Sequence, residues 1–324
     1  PLVPMVAVAA VTAAYTAYGG LPASLQTDRW QAWMILWLVI ALLLILFGGD
    51  IGSLISDAKA YTQEDIEWEW YHGSMSDMST FKSGLALVVA ITAAEMFSQG
   101  NWQRAWASED DEALKKGALL AAGLVLPLVF VMGVLGTVVA GQGAVDDPSA
   151  AFFNLIDDAH VLLIAAFVVL GIALVCSSVD TLQNAVVASI SRDLADGNMD
   201  LKQARIATLT MIPVAIYLAS TMDALSVFAI FLFADLLATA TVLPVFLTLW
   251  DRIDSRAALA GAICGLLSVV VYGTVTADLS TGIDYLTSPT NEYGLANLEV
   301  FLSALIGSGA VTLIGSVAIE NLEK

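Results

Sequence analysis

LVCSSVDTLQNAVVASISRDL, residues Leu174–Leu194, takes over an apolar run that begins at Val161 and ends it on hydroxyls, a carboxylate and an amide. Ser177, Thr181 and Asn184 fall at i, i+4 and i+7, so their side chains share one helical face. A helix solvated by lipid on every side has no use for such a stripe. Hydroxyl and carbonyl oxygens are hard donors, suited to an alkali cation far better than to zinc or copper. The same stripe also suits interhelical hydrogen bonding, in which Ser, Thr and Asn join membrane helices. On this stretch alone both readings stand.

Working outward, the chain is 58% hydrophobic and 13% charged, and apolar runs long enough to cross a bilayer recur along it. That composition predicts an all-α, polytopic helical membrane protein. Nine spans are expected: Pro1–Tyr18, Ala23–Gly49, Ser83–Trp106, Gly117–Gly141, Val161–Ile190, Arg205–Ser220, Ala224–Trp250, Ala257–Ala277 and Val300–Ile319. The connections Asp50–Lys82, Gln142–His160 and Asp278–Glu299 are the long ones. The chain opens on Pro1 inside an apolar run with no charged leader, which is not a signal peptide and reads as a protein whose N-terminal part is absent.

Cys176 and Cys264 both fall inside expected spans and read as small apolar fillers, without metal spacing. The two histidines, His72 and His160, lie far apart near span ends, so a histidine-based catalytic site is not expected and the protein does not read as an enzyme. The formal net charge of −19 leaves no basic patch for nucleic acid. Such acidity fits a carboxylate-rich surface hydrated in high salt, or an acidic outer face alone.

Charge also sets orientation. With Gly19–Gly20 on the cytoplasmic side, the inner span ends hold Arg29, Arg104, Lys115, Lys116, Arg192, Lys202, Arg205, Arg252, Arg256 and Lys324, whereas the outer ends hold Lys59 and Lys82. That is the positive-inside bias of a multi-pass plasma-membrane protein with a cytoplasmic C-terminus. The outer loops carry carboxylates (Glu64, Asp65, Glu67, Glu69, Asp146, Asp147, Asp157, Asp158), and Trp68, Trp70 and Tyr71 read as interfacial anchors.

Four carboxylates fall inside or at the edge of spans, where each costs about 2.5–3.5 kcal/mol on insertion scales and so marks a candidate site. Asp28 stands beside Arg29 and reads either as an interfacial ion pair or as part of an ion route. Asp180 follows the serine pair and either lines the ion pathway or bonds across helices. Glu95 and Asp235 both read as mid-span, without Lys or Arg at neighbouring helical positions. They are expected to face a cavity, pair with a ligand, or stay protonated in a hydrogen bond. The run Ser98–Gln99–Gly100–Asn101 permits a local unwinding or marks a helix end, and Pro244 is expected to kink its span.

Three motifs carry a family resemblance. YTAYGGLPASLQTDRWQ (Tyr15–Gln31), GNWQRAWASED (Gly100–Asp110) and SSVDTLQNAVVASISRDL (Ser177–Leu194) resemble, in order and spacing, segments of the sodium/solute symporter family. The resemblance implies a LeuT-type inverted repeat of five plus five helices. It assigns residues 1–49 to the last two helices of the first repeat, 83–250 to the second repeat and 257–319 to two further helices. The first three core helices would then be missing, and with them part of both the solute and sodium sites. It also implies a sodium site at the hydroxyls of Ser177 and Ser178 and the carbonyl of Leu174, with Asp28 on the inner sodium route. Ile91, Ala94 and Glu95 match a solute-lining region, and Asp235 falls near another solute-contacting position. Sugar-type members have Asn and aromatic residues where this chain has Ile91, Ala94 and Glu95, and urea-transporting relatives often have an acid where it has Ser98; both solutes are therefore disfavoured. An amino acid or polyamine-like solute, bearing an amine for the two carboxylates, is favoured.

The leading expectation is a sodium-coupled symporter of a small polar solute working by alternating access. A second keeps the fold and couples to protons through Glu95 or Asp235. A third is the membrane input module of a signalling protein, against which the short stretch Glu320–Lys324 after the last span counts.

Overall fold

The computed structural model describes residues 2–48, 78–141, 160–221, 226–292 and 294–322. These form helices α1 (Leu2–Gly48), α2 (Met78–Phe97), α3 (Gln99–Trp106), α4 (Asp111–Gly141), α5 (Val161–Ser189), α6 (Leu201–Thr221), α7 (Val227–Leu247), α8 (Ser255–Thr276), α9 (Leu279–Asp284) and α10 (Leu298–Leu322). A single π turn, Ile190–Leu194, extends α5. Eight helices among the described residues are long and apolar enough to cross a membrane. The expected anchors Trp68, Trp70 and Tyr71, together with His72, Lys59, Lys324 and the outer-loop carboxylates, lie outside the described residues.

The ninth expected span is accounted for by a break. α1 carries both of the first two expected spans and loses helical geometry only at Gly20, with φ 54° and ψ −147°. A side chain is strained at such a positive φ, whereas glycine adopts it readily. Pro22 follows, and it has no N–H to continue the ladder into the preceding turn. Carbonyls freed by a helix end need outside donors. Arg205 on α6 supplies one, donating Nε–H to the Ala17 carbonyl at 3.0 Å while its guanidinium stands 5.8 Å from the Tyr18 ring centroid.

A second departure concerns the expected span Ser83–Trp106. α2 begins earlier, at Met78, and the helical run stops at Ser98, a non-helical residue that separates it from α3. Glu95 therefore sits in the last turn of α2 rather than halfway along a helix, while Asp235 stands well inside α7. Pro244 lies one turn before the end of α7, where it has no N–H to give the Ala240 carbonyl. The connection after α8 is not plain loop. It holds α9 and an isolated antiparallel bridge between Thr290 and Ala296.

The chain divides into two compact units. One comprises the described residues of Pro1–Glu64 and Gln99–Ala224, that is α1 and α3–α6, with α5 packed against α1. The other comprises those of Asp65–Ser98 and Leu225–Lys324, that is α2 and α7–α10. Its core is Ala86, Ala90, Leu232, Leu236, Ala240, Val269, Val300, Phe301 and Ala304, each fully buried. Two aspartates outside the helical spans cap its turns. Asp254 accepts from Arg256 at α8, and the Arg256 side chain holds its carboxyl below the usual range. Asp278 accepts from the Thr281 N–H at α9, and that backbone bond lowers its carboxyl likewise.

α8 and α10 approach through small residues. A Cβ at Gly261 would collide with Thr312 and with the Ser308 carbonyl, and one at Gly265 with Ser308 and the Ala304 carbonyl. Close backbone packing replaces the hydrophobic drive that lipid removes. Gly261→Leu is expected to lower stability by about 1–3 kcal/mol, the usual cost of overpacking. Gly171→Ala, which meets open space, is expected to be neutral. Thermal unfolding in detergent, followed by size exclusion, measures both.

Candidate functional site

In the first unit the polar face of α5 meets α1 and α3. Ser177 Oγ donates to Asp28 Oδ1 at 2.5 Å. The other oxygen, Asp28 Oδ2, accepts from Arg104 Nη2 at 2.7 Å. Arg104 Nη2 also donates to Thr181 Oγ1 at 2.6 Å and reaches Ser24 Oγ at 3.4 Å. Thr181 passes its own proton to the Ser177 carbonyl at 2.7 Å. Asp28 thus pairs with Arg104 of α3 and not with its neighbour Arg29, which points outward and is exposed.

One turn along the helix, Asp180 is 0% exposed. Its carboxylate accepts from Tyr15 OH and from Ser24 Oγ, each at 2.6 Å, and Thr27 Oγ1 stands at 3.5 Å. Tyr15 precedes the break at Gly20 whereas Ser24 and Thr27 follow it, so one carboxylate holds both arms of α1. Gln31 Nε2 donates to the Ala173 carbonyl at 2.9 Å and fixes the second arm beside Leu174. The Leu174 carbonyl accepts from Ser178 Oγ at 3.2 Å, on an exposed face of α5. At the far end of the stripe Gln103 of α3 donates to the Asn184 carbonyl at 3.4 Å. Thr16 Oγ1, Gln183 Oε1 and Asn184 Nδ2 are buried there without a hydrogen-bond partner.

The interhelical purpose of the stripe is the one its bonds display. Thr181 and Asp180 join helices. Ser178 Oγ and the Leu174 carbonyl form a pair of adjacent hard oxygens, and Ser177 Oγ keeps its lone pairs while its proton goes to Asp28. No cluster of three or more His, Cys, Asp or Glu capable of holding a metal exists among the described residues.

The second unit holds Glu95 on α2 and Asp235 on α7. α2 turns a small buried face, Ser83, Ala86, Ala90 and Ala93, into the packing against α7 and α10. Asp235 is 4% exposed, and its Oδ2 is buried with no hydrogen-bond partner. Glu95 lies within electrostatic range of it. Thr239 does not relieve Asp235, because its hydroxyl bonds back to the Asp235 carbonyl at 2.7 Å. Ile91, one turn before Glu95, is 42% exposed, and Ala94 is half-buried. The other cations described in this unit are engaged at helix ends: Lys82 with Glu299, Arg256 with Asp254, and Arg252 over Trp250.

Sequence reasoning passed over Arg104, Tyr15, Ser24 and Gln31 as site residues. Their signal was present, since all four fall within the two quoted motifs that precede the serine pair. What the motifs do not show is that Arg104 reaches back to Asp28.

A multi-pass helical protein whose intramembrane polar groups are hydroxyls, carbonyls and carboxylates has the build of a membrane transporter. The model of the sodium:solute symporter family matches residues 3–265, and the chain belongs to that family. It is 30% identical over 278 residues to the spermidine transporter DUR31 of Candida albicans. That alignment covers 82% of this chain and 50% of the relative, so the chain spans about half the length of the curated relative it matches.

Tyr15→Phe removes one of the two short bonds to the Asp180 carboxylate. It is expected to cost about 1–3 kcal/mol, the range for a buried acceptor left short of a donor. Cys176→Ala, which alters only a half-buried filler beside that bond, serves as the neutral control in the same thermal measurement.

Proposed function

We propose that this chain belongs to a sodium-driven symporter of a small amine-bearing solute, polyamines foremost. One observation carries the solute class: Asp235 Oδ2 is buried without a hydrogen-bond partner, with Glu95 close by. A carboxylate in that setting calls for a cationic donor. Glu95 and Asp235 would receive protonated amines, with Ile91 and Ala94 lining the approach. Sugar and urea offer no charge to this pair. The relative described as a spermidine transporter supports the same class.

Sodium would bind at the Leu174 carbonyl and the hydroxyls of Ser177 and Ser178. Leu174 O and Ser178 Oγ, 3.2 Å apart, have a spacing that two ligands of one cation can share. In the five-plus-five arrangement that the family resemblance implies, α1 supplies the last helices of the first repeat, α2 to α7 the second repeat, and α8 and α10 the two additions. Sodium and solute then favour the same conformations, and the sodium gradient drives uptake by alternating access. Asp28 lies on the inner sodium route in this reading, and Asp180 holds that route in shape. In this reading, which the positive-inside bias supports, Gly19–Gly20 and the C-terminus would face the cytoplasm.

Proton coupling is the second reading, favoured by the same pair of carboxylates. Full-length protein in proteoliposomes separates the two, with uptake of spermidine, putrescine, amino acids, urea, carboxylates and sugars measured under a sodium gradient and then a proton gradient. Sodium-driven spermidine or putrescine uptake is the expected result. Asp235→Asn is expected to raise the amine KM about tenfold, the equivalent of one charge-assisted hydrogen bond. Ser177→Ala is expected to raise the sodium concentration for half-maximal uptake. Uptake driven by protons, indifferent to sodium and abolished by Glu95→Gln, would replace this reading with the second.

A further inference from the structure

The GNWQR segment is the motif that the proposed sodium and solute sites leave without a role, and its arginine holds an unusual position. Arg104 Nη2 is surrounded by three oxygens of other helices: Asp28 Oδ2, Thr181 Oγ1 and Ser24 Oγ. Asp28 is therefore shared. One oxygen accepts the Ser177 hydroxyl and the other the guanidinium, and both side chains of the ion pair are about one-quarter exposed. Resting on the sodium site read above, we propose that Arg104 is a positioning residue that weakens sodium binding at Ser177 and so permits its release.

The physical argument concerns sign. A carboxylate that accepts the Ser177 proton leaves the hydroxyl oxygen more electron-rich, and it stands one hydrogen bond from any cation held there. Asp28 alone would strengthen sodium binding. The guanidinium on its second oxygen cancels much of that charge. It also bonds Thr181, whose hydroxyl in turn donates to the Ser177 carbonyl, so the arginine is tied to the backbone of the same serine. Asp180 adds negative charge one turn away, and Arg104 is the cation bonded within this network. Without Arg104 the cluster carries two carboxylates and no counter-charge, a setting that binds sodium tightly and gives it up slowly.

Arg104→Gln keeps an N–H donor and removes the charge. In proteoliposomes its half-saturating sodium concentration is expected to fall by about threefold to tenfold, the scale of a partly screened charge interaction. Its maximal net uptake is expected to fall too, while solute exchange at saturating sodium on both sides, which needs no sodium release, keeps its rate. Arg104→Lys should restore the sodium dependence of the parent. A merely structural arginine gives a different pattern, with net uptake and exchange lost together and sodium half-saturation raised or unchanged; that result would overturn the proposal. Ser177→Ala, measured alongside, tells two failures apart. A shift in its sodium dependence without the Arg104→Gln decrease defeats the arginine's role alone. No shift in Ser177→Ala defeats the site reading and this proposal together.

Discussion

An anion inside hydrocarbon must find its hydrogen bonds within the protein, and Asp180 is where the first unit meets that demand. The side chain is wholly buried, and two hydroxyls, from Tyr15 and Ser24, converge on it. Because those residues flank Gly20, the carboxylate fixes how the two arms of α1 leave the break. The second arm then presents Asp28 to Ser177 and Gln31 to Ala173. Much of what surrounds the serine pair follows from that one buried charge.

The second unit handles its buried carboxylate differently. Asp235 is almost wholly buried, but no group donates to its Oδ2. The nearest hydroxyl on its own helix, Thr239, is committed to a backbone carbonyl. Structural carboxylates in a membrane bundle tend to be satisfied, as Asp180 is, and Asp235 departs from that rule. Two aspartates of the same chain thus differ in one respect, a full set of donors for Asp180 and a missing one for Asp235.

Much of this was legible in the sequence. Apolar run length located each spanning helix, although it divided α1 in two and carried the span that holds α2 on to Trp106, and the stripe Ser177, Thr181, Asn184 did face other helices. The Gly20 break was legible as a division between spans, since glycine pairs and proline punctuate helices. The stop at Ser98 was read only as one of two options, because serine neither breaks nor extends a helix by itself. The partner of Asp28 was not legible. Arg29 adjoins it in sequence, but successive residues on a helix point about 100° apart, and Arg104 reaches it only through the packing of α3 on α5. Glu95 was assigned mid-span because the span was drawn on through the polar run to Trp106, whereas the helix stops at Ser98.

The close seat of α8 against α10 bears on how this chain tolerates change. Gly261 fits because Thr312 and the Ser308 carbonyl occupy the volume that a side chain there would need. Neither position is free to vary by itself. A smaller residue at 312 would not open the place at 261, because the Ser308 carbonyl is main chain and stays, and the Ala304 carbonyl bars Gly265 in the same way. The two glycines are therefore held by backbone, and no exchange of the facing side chains can release them.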